Sequence, residues 1–128
     1  MEYTQILYEV ADRIATITMN RPEARNALSS ALIRELNRTM HVANDRDDVD
    51  VIILTGTDPA FSAGLDLKDF GTPPEPGGHR HMHIGIDGQT FMSNLTVRLR
   101  DLPQIVIAAV NGPAFGGGLA IACAADGD

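Results

Sequence analysis

The chain is 128 residues long, room for one small domain with a real core and little beyond it. Its 44% apolar and 21% charged residues are those of an ordinary globular protein, which excludes a disordered chain, a collagen repeat and a coiled coil. Ten basic residues against seventeen acidic ones leave a net charge of −7, which argues against a general nucleic-acid or membrane-surface binder.

The first four residues, Met1-Glu2-Tyr3-Thr4, lack the basic and apolar regions of a secretion signal. Ile6, Tyr8 and Val10 then alternate with Leu7 and Glu9, and Ala15, Ile17 and Met19 alternate with Ile14, Thr16 and Thr18. Two short alternating runs around Ala11-Asp12-Arg13 predict a β-hairpin. The loop NRPEARNALS follows, and Ser29 or Ser30 opens a helix to about Arg46. Leu28, Leu32, Leu36, Met40 and Ala43 make one apolar stripe on it, while Arg34, Glu35, Asn37 and Arg38 make a solvated face. Asp45, Asp47, Asp48 and Asp50 form an acidic turn without the glycine and terminal glutamate of a calcium loop, so it reads as solvated. Val51 to Leu54 is a continuous apolar run, the pattern of a strand buried on both faces.

The segment TDPAFSAGLDLKDF reads as a loop leading into a short helical turn. Residues 71–83, with Pro73, Pro74, Pro76, Gly77 and Gly78, read as a flexible loop long enough to be a lid. Helical spacing resumes from Ile84 to Arg100 through Phe91, Leu95 and Leu99, and Ile105 to Val110 predicts a second buried strand. Asn111-Gly112-Pro113-Ala114-Phe115 then turns into GGGLAIACAA, a helix small or apolar on every side. Such a helix needs cover all round, and three further residues cannot supply it. Residues 1–128 therefore read as the front part of a larger domain, with the chain ending inside it. Cys123, the single cysteine, excludes an internal disulfide, suits a reducing compartment and reads as an inert core thiol. The apolar runs are too short to span a bilayer, so a cytoplasmic protein without a membrane partner is expected.

Two glycine-bearing loops could carry chemistry: AFSAGLDLKD after VIILTG, and NGPAFGGGLAIA after IVIAAV. Each lies between a predicted strand and a helix, at the end of the strand where open α/β sheets bind ligands. Glycine lets a backbone approach a ligand and aim its N–H groups, and the second loop adds a helix N-terminus. A tight turn with close helix–sheet packing explains the same glycines equally well. Nucleotide motifs fail, because Ile121 stands where a dinucleotide fingerprint needs glycine and Gly118 where a phosphate loop needs lysine. A serine-hydrolase elbow fails at Ala60, which leaves Ser62 a loop hydroxyl.

The stretches NRPEARNALS, ILTGTDPAFSAGLDLKDF and VIAAVNGPAFGGGLA, in this order and at this spacing, resemble the crotonase superfamily, the enoyl-CoA hydratase/isomerase family. The resemblance covers most of the chain. It implies an α/β fold, a spiral of repeated ββα units of which the sequence carries a truncated part. It also implies acyl-coenzyme A thioester substrates, with coenzyme A belonging to the substrate and no separate cofactor, and homo-oligomers of three or six chains. Residue by residue, it assigns the backbone N–H groups of Leu65 and Gly117 to an oxyanion hole. It places Arg25, Ala27, Ala63, Gly64, Asp66, Leu67, Lys68 and Gly116 along the bound substrate, with Arg25 and Lys68 as cations able to meet its phosphates.

One position departs from the pattern. Hydratases of the family carry a glutamate three residues beyond the oxyanion glycine, where this chain has Ala120. On a helix that position shares a face with Gly117, and a methyl group there can neither activate water nor move a proton. Double-bond isomerisation, thioester hydrolysis and decarboxylation stay open. His79, His81 and His83 alternate in the glycine- and proline-rich segment without a carboxylate or thiol partner at ligand spacing, so no metal site is expected. The competing expectation is a non-catalytic homologue that binds acyl-CoA weakly or associates with full-length relatives.

Overall fold

A computed structural model describes residues 2–70, 94, 95, 97 and 99–125. Strands β1 (Ile6–Ala11) and β2 (Ile14–Met19) form the expected hairpin. The two residues between them, Asp12 and Arg13, have φ of 53° and 66°, the left-handed backbone that a two-residue hairpin turn demands. A short 3-10 turn at Pro22–Ala24 leads to helix α1 (Ser30–Asn44). Ser29 caps it, its side chain accepting the Leu32 N–H at 3.1 Å. The helix closes against the sheet through Leu32, Ile33, Leu36, Met40 and Ala43, all fully buried. Each large side chain so buried stabilises the fold by about 1.5–3 kcal/mol. Of the four residues expected on the solvated face, Arg34 and Arg38 are exposed and Glu35 and Asn37 are half-buried. Glu35, expected in solvent, instead accepts the N–H groups of Thr4 and Gln5 and ties the N-terminal segment to α1.

Strand β3 (Val51–Gly56) pairs in parallel with β2, and β4 (Ile105–Ala108) pairs in parallel with β3, giving the sheet order β1-β2-β3-β4. Helix α2 (Leu67–Phe70) is a single turn, and helix α3 (Gly117–Ala124) follows β4. Helical residues also occur within 94–101, where Leu95 and Leu99 are buried. The core lies on one sheet face. Ile17 and Leu54 share a row of the register with Ala108, and Ala15 and Ile52 share the next with Val106.

The other face corrects the expectation of strands buried on both sides. Among the described residues Ile105 and Ile107 of β4 are exposed, as is Val110 beyond it, and Val51 and Ile53 of β3 are only half-buried. Ala11, Ile14, Val51 and Ile105 form one register row across this open side. A continuous apolar run signals two apolar faces but not what covers them.

Helix α3 behaves likewise. It buries Gly118, Ile121, Ala122 and Ala124 and exposes Leu119, Ala120 and Cys123. Cys123 is thus an exposed free thiol, not a core one. The acidic turn is exposed as expected, with Arg13 paired to Asp50 at 2.6 Å and Arg46 paired to Asp48. The glycine- and proline-rich segment and its three histidines lie outside the described residues. Among the described residues no helix is long and apolar enough to cross a membrane.

Candidate functional site

Both glycine-bearing loops leave the carboxyl ends of neighbouring parallel strands, and the backbone zips them together. Phe61 and Ser62 donate their N–H groups to the Pro113 oxygen at 3.0 and 3.3 Å, and the Phe115 N–H returns to the Ser62 oxygen at 3.0 Å. Ser62 is a buried loop hydroxyl: it donates to the Asn26 carbonyl at 2.8 Å and accepts the Gly64 N–H at 3.3 Å. Leu28 pairs in parallel with Leu65, its N–H reaching the Gly64 oxygen at 2.7 Å while the Asp66 N–H reaches the Leu28 oxygen at 3.0 Å. In an extended segment successive peptide groups point to opposite sides, so the Leu65 N–H is turned away from Leu28.

The three glycines of the second loop divide their roles. Gly116 has φ 51° and ψ −118°, a backbone that an L side chain rarely adopts. Gly117 begins α3, where the first N–H groups of a helix lack intrahelical acceptors. Gly118 brings the helix against the first loop, since a Cβ there would stand 2.5 Å from the Ser62 oxygen. Gly64, at φ 95°, makes the reciprocal approach: its Cβ position is 3.4 Å from the Gly117 nitrogen. Covalent geometry then keeps the Leu65 and Gly117 nitrogens within about 7 Å of each other. Among the described residues neither N–H has an internal partner.

On the Leu65 side an open groove of about 500 Å³ is lined by Arg21, Ala24, Ala27, Leu65, Leu67 and Lys68, together with Glu23 and Asp66, and Gly117 is not part of its wall. Of the residues expected along a substrate, Ala27, Asp66, Leu67 and Lys68 meet here. Arg25, Ala63, Gly64 and Gly116 are not part of its wall. Arg25 is exposed, with φ 52°, and its carbonyl accepts the Ala63 N–H at 3.0 Å. Asp66 turns out to be a brace. Its carboxylate pairs with Arg21 at 3.1 Å, both side chains mostly buried, and also accepts the Lys68 N–H at 3.0 Å. Arg21 adds a bond to the Ala27 oxygen at 2.6 Å. Ala120 is exposed one turn along α3 from Gly117, with open space before its methyl group rather than core. Another hollow, about 510 Å³ beside Tyr3, Arg34 and Arg38, contains no residue of either loop. Among the described residues no group of three or more His, Cys, Asp or Glu could hold a metal ion.

Two further residues that no sequence pattern marks, Asn26 and Asn111, stand at the roots of the loops. Asn26 is completely buried with φ 55° and donates to the oxygens of Thr57 and Ala60 at 3.0 and 2.8 Å. Asn111 donates to the same Ala60 oxygen at 3.2 Å. The available signals were an asparagine in the turn-rich NRPEARNALS loop and the Asn-Gly pair at 111–112.

Residues 9–127 match the family model described as enoyl-CoA hydratase/isomerase. A probable enoyl-CoA hydratase of Mycobacterium tuberculosis is 38% identical over 113 residues, covering 88% of this chain and 40% of that protein. A probable enoyl-CoA hydratase of Rhodobacter capsulatus is 36% identical over 126 residues, covering 98% of this chain and 46% of its own length. The crystal structure of an enoyl-CoA hydratase from Bacillus anthracis superposes with a TM-score of 0.86 at 33% identity, covering 96% of this chain and 46% of that one. The chain thus spans less than half the length of these relatives, and over that span it has their crotonase-type α/β fold.

Proposed function

The chain belongs to the enoyl-CoA hydratase/isomerase family, and from that premise we propose that it forms the thioester-binding part of an acyl-CoA enzyme. The observation that carries this is the pair of amides, Leu65 and Gly117, without partners among the described residues and brought together by Gly64, with the groove at Leu67 and Lys68 on the Leu65 side. A thioester oxygen placed between them accepts two hydrogen bonds. Enolisation, isomerisation and thioester hydrolysis all put negative charge on that oxygen, and fixed donors stabilise it without reorganising. Each such donor is worth about 3 kcal/mol of barrier, or roughly 10²–10³ in rate. The Gly117 amide adds the positive end of the α3 dipole.

In this reading Ala27, Ala63, Gly64, Leu67 and Gly116 border the acyl-CoA, Asp66 holds Arg21 in place, and Lys68 and Arg25 offer charge to the phosphates. Coenzyme A arrives with the substrate, and no further cofactor is called for. The whole protein acts as a cytoplasmic trimer or hexamer. Ala120 offers no carboxylate where the family's hydratases have one, so the chemistry favoured is enolate-forming isomerisation or acyl transfer to water rather than two-carboxylate hydration. Calorimetric titration of the purified chain with butyryl-CoA and with coenzyme A tests it. Tighter binding of the thioester is expected; equal or absent binding of both ligands would refute it. Thioester binding without turnover of any acyl-CoA would leave a non-catalytic binder.

A further inference from the structure

The two amides sit on different loops, so something must fix the distance between them. We propose that Asn26 and Asn111 are positioning residues that clamp the Ala60 carbonyl from both sides and so set the separation of the Leu65 and Gly117 donors. This rests on the acyl-CoA reading above. Ala60 stands at the root of the first loop, and its oxygen accepts Asn26 Nδ2 at 2.8 Å and Asn111 Nδ2 at 3.2 Å.

Each asparagine is itself anchored elsewhere. Asn26 Oδ1 accepts the Arg21 N–H at 2.8 Å, and its second amide proton goes to the Thr57 oxygen at 3.0 Å. Both amide protons and the oxygen of its side chain are thus engaged, in full burial, where an unpaired group would be costly. Asn111 Oδ1 accepts the Gly56 N–H at 3.2 Å, so that side chain spans the ends of β3 and β4. Asn26 therefore ties the loop to the segment before α1, and Asn111 ties it to the loop that ends at Gly117.

Two glycines make room for the clamp, an observation independent of the bonds. A Cβ at Gly56 would stand 2.8 Å from both the Ala60 oxygen and Asn26 Nδ2. A Cβ at Gly112 would stand 2.6 Å from the Pro59 oxygen and 3.2 Å from Ala60 Cα. Gly56 thus leaves room for the Asn26 amide at the Ala60 oxygen, and Gly112 leaves room for the Pro59–Ala60 backbone that carries it. From Ala60 the alignment passes along the bonds of Phe61 and Ser62 to Pro113 and of Phe115 to Ser62, one peptide short of Gly116.

The test uses Asn26→Asp and Asn111→Asp, near-isosteric changes that replace a donor by an acceptor facing the Ala60 carbonyl and, for Asn111, also the Asp58 carboxylate at 3.4 Å. Asn111 is exposed, so its variant carries the test alone if the buried Asn26→Asp does not fold. Two quantities are measured: the ratio of butyryl-CoA to coenzyme A affinity, and the pH at which bound acetoacetyl-CoA enolises, followed by the absorbance of its enolate. Expected is a loss of about fivefold or more in the ratio, the worth of one hydrogen bond, with affinity for coenzyme A itself unchanged. The enolisation pH should move back toward that of the free ligand. A bystander asparagine in a folded protein would move neither. Wild-type values of both quantities in folded Asn111→Asp overturn the clamp alone. A wild-type chain that does not prefer the thioester overturns the acyl-CoA reading and the clamp with it.

Discussion

Gly118→Ala asks how closely α3 must approach the first loop. The new Cβ would lie 2.5 Å from the Ser62 oxygen and 2.7 Å from Ser62 Cβ, neither of which is the swinging end of a flexible side chain. To reach ordinary contact at 3.4 Å the helix must retreat by about 0.9 Å. Overpacking of this kind costs about 1–3 kcal/mol. The better helix propensity of alanine returns at most about 1 kcal/mol. The variant should be about 1–2 kcal/mol less stable, seen as a lower urea midpoint at unchanged slope. The retreat also carries the Gly117 amide away from Leu65. One lost hydrogen bond reduces the butyryl-CoA to coenzyme A affinity ratio by about fivefold. A displacement near 1 Å costs a reacting geometry on the order of 10²-fold in rate. Gly116→Ala is the contrasting variant, because a Cβ there meets nothing within 4 Å and only the backbone at φ 51° is strained, at about 1–3 kcal/mol. A Gly118→Ala protein with an unchanged urea midpoint and an unchanged affinity ratio would refute this account of the helix contact.

Two further outcomes are expected. Hydrogen bonding to Arg13, more than its charge, holds the Asp50 carboxyl below its usual 3.8. Its contribution to stability is therefore present above pH 3.8 and is lost as pH falls through the lowered folded value. In Arg13→Gln the NMR titration midpoint of Asp50 should return toward 3.8, and an unmoved midpoint would remove the pair as its cause. The open sheet face predicts that the 128-residue chain pairs with a second copy through Ile105 and Ile107. Sedimentation equilibrium should show masses above the monomer that fall in Ile105→Thr/Ile107→Thr; an ideal wild-type monomer contradicts it.

Much of the fold was legible where local pattern and tertiary packing agree. The apolar stripe from Leu28 to Ala43 marks α1 because one helix face meets one sheet face. Asp12-Arg13 marks the hairpin because its twist requires a tight left-handed turn. The candidate site was legible only as two glycine loops, and the structure supplies separate reasons for Gly64, Gly116 and Gly118. Asn26 and Asn111 were not legible. They converge on Ala60 from 34 and 51 residues away in sequence, and no periodicity records a meeting of that kind. Cys123 and β4 were misread for another reason. A helix without polar residues, or a strand of unbroken apolar ones, carries no mark of which side faces outward.

The parallel pairing of β3 with β4 also acts as a ruler. Neighbouring strands lie about 4.8 Å apart. Two N–H donors that share one oxygen, each at about 2.9 Å and about 110° apart around it, need nitrogens separated by nearly the same amount. Loops that leave adjacent parallel strands in the same direction start out at that spacing. The loops then need only local trimming, by glycines and asparagines, while the coarse spacing is as invariant as the backbone hydrogen bond itself. A sequence can drift over most of its surface and still launch its two glycine-bearing loops one strand spacing apart, provided that β3 and β4 remain neighbours.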